Sequence, residues 1–197
     1  MGRTKALLPW GDRPLVAAWV ERFLAAGAEQ VAIVLGAEAP VIRAAVEPGL
    51  PEPDRVRWVE NKDPDNTGPR ESLLLGLDCL PADCPAWFTP VDVPVVRAAS
   101  LQALAMAWAA SIASGEQPFA AIPTHGGAPG HPVLAGADFV ERLFQGEAGD
   151  RIDHLLAWAT RRLLHAAVDD PRVVGDMDDV AAYQAAAPPA GVPDPVR

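Results

Sequence analysis

The chain has 197 residues, a formal net charge of −10, and a composition that is half hydrophobic and about one fifth charged. This length suits one domain with a real core, and the acidic balance argues against a nonspecific nucleic-acid binder, which needs a basic face. No run approaches the roughly 18 apolar residues of a membrane span and no apolar signal core opens the chain, so a cytoplasmic protein with no membrane partner is expected.

In chain order, residues 1–9 run straight into Trp10-Gly-Asp12-Arg-Pro14, where Asp12 and Pro14 are helix start signals. Leu15, Val16, Trp19, Val20, Phe23 and Leu24 repeat at helical spacing until Gly27 stops the run. Residues 31–35 then read as a buried strand ending at Gly36, 40–46 as a short helix and 56–59 as a second strand. A polar loop over 61–70 leads to an apolar helix over 72–80. Cys79 and Cys84, which close this part, form no CxxC pair and have no clustered histidines. Free thiols are therefore expected rather than a disulfide or a zinc site.

The stretch Ala86-Trp-Phe-Thr-Pro-Val-Asp92-Val-Pro94 reads as a strand over 87–91 that delivers a carboxylate to its C-terminal tip. An alanine-rich helix over 98–114 and a short strand over 119–122 follow. The glycine-rich loop 124–132 leads to Val133-Leu134, with helices over 138–144 and 152–158 beyond. Residues 162–168 read as extended, 173–174 as a last short strand and 180–187 as a helix. The tail from Pro188 is proline-rich and expected to be flexible, which leaves one domain over 1–187. Strands and helices alternate without a repeat or a linker, which predicts a single-domain α/β fold with a doubly wound, mostly parallel sheet.

Several residues have two readings. Asp92 stands where open parallel sheets bind ligands, yet Asp before Val-Pro also suits a cap. Lys5 can meet a phosphate as a point charge or be an ordinary exposed lysine. Gly68 and Ser72 flank Pro69 at a helix entry, which suits an anionic ligand or a plain N-cap. His131 in Gly130-His131-Pro132 can hydrogen-bond a ligand or sit idle in its loop. Residues 169–179 hold five acids and one arginine, and capping is the default for at least one of the acids in Gly175-Asp176-Met-Asp178-Asp179. Two carboxylates from distant parts of the chain, Asp92 and one of this group, are also what an octahedral Mg²⁺ site uses.

In this order and spacing the motifs resemble the MobA-like nucleotidyltransferase family, most closely its molybdenum-cofactor cytidylyltransferase branch. Residues 1–9 resemble the end of the family's LAAGxSxRMGxxKxLLP signature, and Gly11 to Leu15 continue it. Asn61, Gly68 and Ser72-Leu-Leu-Leu-Gly76-Leu77 are similar to the base-recognition segment. Asp92-Val-Pro94 resembles the DxP metal motif, and Gly130-His131-Pro132-Val133-Leu134 the GHPVL segment. Asp176-Met-Asp178 with Tyr183 matches DxD-T-P-x-D-Y in part, with Asp179-Val180 where Thr-Pro is usual.

The resemblance covers about residues 1–186. It implies a Rossmann-like fold of the nucleotide-diphospho-sugar transferase type and an Mg²⁺-dependent enzyme. That enzyme would transfer a nucleoside monophosphate from an NTP, CTP favoured, to a phosphorylated acceptor such as molybdopterin, with a molybdoenzyme as a further partner. It also implies roles: Asp92 and Asp178 as metal ligands with Asp176 the less favoured alternative, Lys5 and Asp92 as catalytic groups that meet the nucleotide, Gly68 and Ser72 at base and ribose, and His131 near the acceptor. The LAAGxSxR loop and the strand before it have no counterpart. Met1 as an internal methionine of a longer natural protein is therefore expected, with weak or no activity for the chain as written. A noncatalytic nucleotide- or cofactor-binding or chaperone-like module, or a sugar-phosphate nucleotidyltransferase, is the alternative.

Overall fold

The computed structural model describes residues 4–82, 84–147, 151–189 and 191–192. Residues 1–3 of the signature and most of the expected flexible tail from Pro188 lie outside the described residues. A 3-10 turn at Lys5–Leu7 leads into a short hairpin, β1 (Pro9–Trp10) with β2 (Arg13–Pro14), closed at Gly11, whose φ of 65° is one that glycine adopts freely. The hairpin takes the place of the earlier helix start, because Pro14 ends it and stands as N-cap of α1 (Leu15–Ala25). The apolar spacing then turns Leu15, Val16, Trp19, Val20 and Phe23 inward, all buried.

After a reversal at Gly27, β3 (Val31–Leu35) pairs in parallel with β4 (Val56–Glu60), in register from Val31 opposite Val56 to Leu35 opposite Glu60. Helix α2 (Ala39–Val46) connects them and buries Ala39, Ile42 and Val46 against their apolar face. The next helix, α3 (Pro69–Asp78), begins three residues before the sequence reading places it. Pro69 is tolerated at the first helical position, where its missing N–H costs nothing.

A second sheet has the order β5 (Ala86–Phe88), β8 (Val133–Ala135), β6 (Ala120–His125), with β9 (Leu163–Ala167) on the far side of β6. The short strand β7 (Ala128–Pro129) folds back on the end of β6. Pairing is mixed: β6 and β9 run parallel, while β8 runs antiparallel to both β5 and β6. The helices α4 (Ala98–Ala113), α5 (Ala137–Gln145), α6 (Ile152–Trp158) and α7 (Val180–Ala186) complete the chain. The architecture is the expected Rossmann-like α/β fold.

Two further elements differ from the sequence reading. The strand expected over 87–91 is Ala86–Phe88, because Pro90 has no N–H to offer a ladder. The strand expected at 173–174 is part of a 3-10 turn, Pro171–Val174. Pro171 starts that turn, and the buried Asp170 carboxylate accepts from Arg172 N at 3.2 Å and from Arg97 N at 2.7 Å.

The two sheets are not joined to each other among the described residues. Among the described residues β3 pairs only with β4, and β5 only with β8. Both strands line one cavity of about 1470 Å³, whose walls also include Val16, Trp19 and Phe23 of α1 and Leu73 and Leu77 of α3. Cys79 and Cys84 are in no disulfide, and no helix among the described residues is long and apolar enough to cross a membrane.

Candidate functional site

The chain that leaves β5 and the chain that follows the 171–174 turn meet beside each other. Met177 N donates to Asp92 O at 2.9 Å, which locks the two segments side by side. Met177 is fully buried against Trp10, Val93, Val95 and Val96, and its burial is worth about 1.5–3 kcal/mol. Met177 is buried while Asp176 and Asp178 on either side of it are exposed and lie beside Asp92. One carboxylate oxygen from each of Asp92, Asp176 and Asp178 lies within 4.8 Å of the others.

Lys5 joins this cluster. Its ammonium is 3.2 Å from Asp92 Oδ2 and 2.9 Å from Asp178 Oδ1. The Lys5 hydrogen bond to Asp178 raises the lysine pKa against the opposing effect of partial burial, and the same bond lowers the Asp178 carboxyl. Asp176 is shifted the other way: desolvation, then the like charges of Asp178 and Asp92, raise it. The donor set is three hard carboxylate oxygens, the type preferred by Mg²⁺ and Mn²⁺. Oxygens across an octahedral Mg²⁺ stand about 4.2 Å apart, twice the ~2.1 Å bond, so small side-chain movements close the cluster on such an ion.

Capping, the other reading of these acids, falls to their neighbour. Asp179 Oδ1 accepts from Ala182 N at 2.8 Å and caps α7. Asp92 instead faces Lys5, and α4 begins at Ala98 with Arg97 before it.

The Gly130-His131 loop rests on the same turn. His131 N donates to Val173 O at 2.7 Å, and a Cβ added at Gly130 would lie 1.9 Å from that carbonyl oxygen. Only glycine allows this approach. Gly175 packs closely too, though less tightly, since a Cβ there would stand 2.9 Å from Pro94 Cγ. These contacts hold Asp92-Val-Pro94, Gly130-His131-Pro132 and Gly175–Asp178 as one unit. His131 lines the large cavity, and its Nδ1 is buried without a hydrogen-bond partner. Burial lowers its pKa, partly offset by the Asp92 charge.

Gly68 and Ser72 form a separate group on another wall of the cavity. Asn61 organises it: its backbone N–H donates to Leu35 O at 2.7 Å and its Nδ2 to Thr67 Oγ1 at 2.7 Å and Ser72 Oγ at 3.3 Å. Its Oδ1 accepts from Asp63 N at 3.0 Å. Gly68 N donates to Glu71 Oε2 at 2.9 Å, so the helix entry is self-capped. Structure thus brings Lys5 together with Asp92 and Asp178, adds Asp176 as an equal member, and sets Gly68, Ser72 and His131 around the cavity beside them. The motif resemblance includes Asn61 in the base-recognition segment but gives it no role of its own; its place after a strand and at the head of a polar loop was the available signal for that role.

The model of the MobA-like NTP transferase domain family matches residues 1–157, a span that ends before Asp176 and Asp178. No curated protein matches the chain in sequence. Solved structures are similar in fold. A manganese complex of Rv0371c from Mycobacterium tuberculosis H37Rv is 23% identical with a TM-score of 0.68, over 94% of this chain and 92% of that one. A nucleotidyl transferase from Methanothermobacter is 23% identical with a TM-score of 0.70, over 92% and 82% of the two chains. An apo UDP-glucose pyrophosphorylase is 15% identical with a TM-score of 0.62, over 92% and 88%.

Proposed function

We propose, because the chain belongs to the MobA-like NTP transferase domain family, that it is a divalent-cation-dependent nucleotidyltransferase working at the Lys5, Asp92, Asp176 and Asp178 cluster. The reaction moves a nucleoside monophosphate from an NTP to a phosphorylated small-molecule acceptor and releases pyrophosphate. The observation that carries this reading is the convergence of three carboxylates and one ammonium from three distant segments, next to the C-terminal end of β5. Ligands of open α/β sheets bind at that end of the strands.

In this reading Asp92, Asp176 and Asp178 hold the cation, with Mg²⁺ favoured and Mn²⁺ compatible. When bound, the cation supplies positive charge against the triphosphate. Lys5 adds a second positive charge at the phosphates and leaves its carboxylate partners to the cation. Gly68 and Ser72, with their loop fixed by Asn61, face the base and ribose, and His131 faces the acceptor. An acceptor phosphate oxygen forms the new bond to the α-phosphorus while the bond from that phosphorus to the bridging oxygen breaks, its electron pair leaving with pyrophosphate. Such transfer needs positioning and charge neutralisation more than covalent help from protein. CTP as donor and molybdopterin as acceptor follow from the motif resemblance.

Pyrophosphate release measured with CTP, GTP, ATP and UTP, each with molybdopterin or with sugar phosphates, tests the proposal. Cation-dependent release with CTP and molybdopterin is expected. Release only with a sugar phosphate would change the acceptor, and no release with any pair would sink the enzyme reading. One second reading, a noncatalytic nucleotide-binding module, is favoured by the large cavity that Gly68, Ser72 and His131 line. Such a module would bind nucleotide without turnover.

A further inference from the structure

The entry of α3 is tied to the far end of α5 through two consecutive charged side chains. Arg70 is only 6% exposed, and arginine is buried this far only when its donors are placed. Its Nη2 donates to Leu143 O at 2.5 Å and to Gly146 O at 2.7 Å. Helix α5 ends at Gln145 with Gly146 as its C-cap. These carbonyls therefore belong to the last turn, which lacks intrahelical donors and favours a positive charge.

The other arm of the guanidinium turns to its neighbour, with Nη1 3.6 Å from Glu71 Oε1. Glu71 Oε2 in turn accepts from Gly68 N at 2.9 Å. A Cβ on Gly68 would come 3.2 Å from the same oxygen, so the carboxylate lies against the turn itself. A line of polar contacts thus runs from the α5 end through Arg70 and Glu71 to the Gly68 backbone, and Gly68, Arg70 and Glu71 all line the large cavity. One Glu71 oxygen faces the arginine and the other the glycine N–H, so a swing of this side chain breaks both contacts. Adhesion between the two helices comes from elsewhere: Leu143 and Phe139 of α5 share an apolar cluster with Leu73 and Leu77 of α3. The charged pair adds direction to that contact.

We propose that Arg70 and Glu71 are a positioning pair for the nucleotide. Arg70, held on the α5 carbonyls, orients the Glu71 carboxylate, and Glu71 sets the Gly68 turn where it meets the base. The inference rests on the proposed nucleotide site at Gly68 and Ser72. Neither side chain touches the reacting phosphorus, so the effect falls on nucleotide binding and not on the chemical step. Arginine is needed at position 70, because its planar fork serves α5 and Glu71 at once and a lysine ammonium does not. Glutamine at position 71 keeps an oxygen for Gly68 N–H and gives up only the charge.

Two readouts on the full chain test the pair: hydrogen exchange of the Gly68 amide, and CTP kinetics and binding with Mn²⁺. In Glu71→Ala and Arg70→Lys the Gly68 amide should exchange about tenfold faster, and in Glu71→Gln within about twofold of the unaltered chain. KM and Kd for CTP should rise about tenfold in Glu71→Ala and Arg70→Lys, and Glu71→Gln should restore most of the loss. With molybdopterin as acceptor, kcat should stay within about twofold throughout. Phe139→Leu, which loosens the α3–α5 core and leaves the polar line intact, should lower Tm without moving Kd. An equal rise of Kd in Phe139→Leu would reduce the pair to a structural role and overturn the proposal. So would a fall in kcat at unchanged KM. Absence of CTP binding in the unaltered chain would overturn the nucleotide reading and the pair's role with it, whereas CTP binding indifferent to both Glu71→Ala and Arg70→Lys would overturn the pair alone.

Discussion

At the scale of single residues, Asp92 shows how a carboxylate with two sequence readings is resolved by its neighbours. It accepts from Lys5 rather than from a helix N–H, while Asp179 takes the capping role. Replacing Lys5 with alanine leaves three carboxylates facing one another without their shared cation. The Lys5→Ala chain is expected to bind NTP more weakly, with kcat/KM lower by about 10²–10³, in the range of a lost preorganised charge or donor. His131 has a separate signature. Its folded pKa lies below the ordinary 6.5 because of burial, so the unfolded chain takes up the proton first as pH falls. Its contribution to stability is therefore intact above pH 6.5 and lost progressively as pH drops from there toward its depressed folded value. Urea unfolding from pH 7.5 to 5 should show that slope, and His131→Gln should flatten it. An unchanged slope in the variant would place the titration elsewhere.

At the scale of elements, close backbone packing positions the site. Gly130 sits against Val173 O, and Gly175 against Pro94, so Asp176 and Asp178, the histidine loop and the strand tip move together. Gly130→Ala should cost about 1–3 kcal/mol from overpacking and lower cation affinity along with stability, as read by urea melts and titration calorimetry. Asn61→Ala should cost a similar ~1–3 kcal/mol, because it strands the Asp63 N–H and frees the loop that carries Gly68. It should raise KM for the nucleotide more than it lowers kcat.

The same scale explains what the sequence disclosed. Elements with strong periodicity, α1, β3 and β4, stand where their apolar spacing places them. Strand β5 is shorter than its apolar run because a proline interrupts the ladder, and Val173-Val174 forms a turn because Pro171 and Asp170 fix it. The hairpin of β1 and β2 was not legible, since two-residue strands carry no period. The order of motifs pointed to Lys5, Asp92 and Asp178. The equality of Asp176 was hidden, because it depends on Met177 being the buried residue between two acids.

At the scale of the whole molecule, the family match over residues 1–157 spans two separate sheets, one of β3 and β4 and one that begins at β5, with the large cavity between them. The acidic cluster of Asp92, Asp176 and Asp178 is built from segments on the β5 side of the cavity and meets the Lys5 turn, whereas Asn61, Gly68 and Ser72 belong to the β3 and β4 side. Nucleotide bound across the cavity would tie the halves, so NTP with a divalent cation should raise Tm more than either alone.

The claim that Asp92, Asp176 and Asp178 form a cation site for nucleotide is tested most directly by titration calorimetry of CTP into the 197-residue chain, with Mn²⁺ and with a chelator, beside Asp92→Ala. Binding that needs the cation and weakens at least about tenfold in Asp92→Ala is the expected result, a loss of about 1.4 kcal/mol. Equal affinity with and without the cation, unchanged in Asp92→Ala, would contradict it.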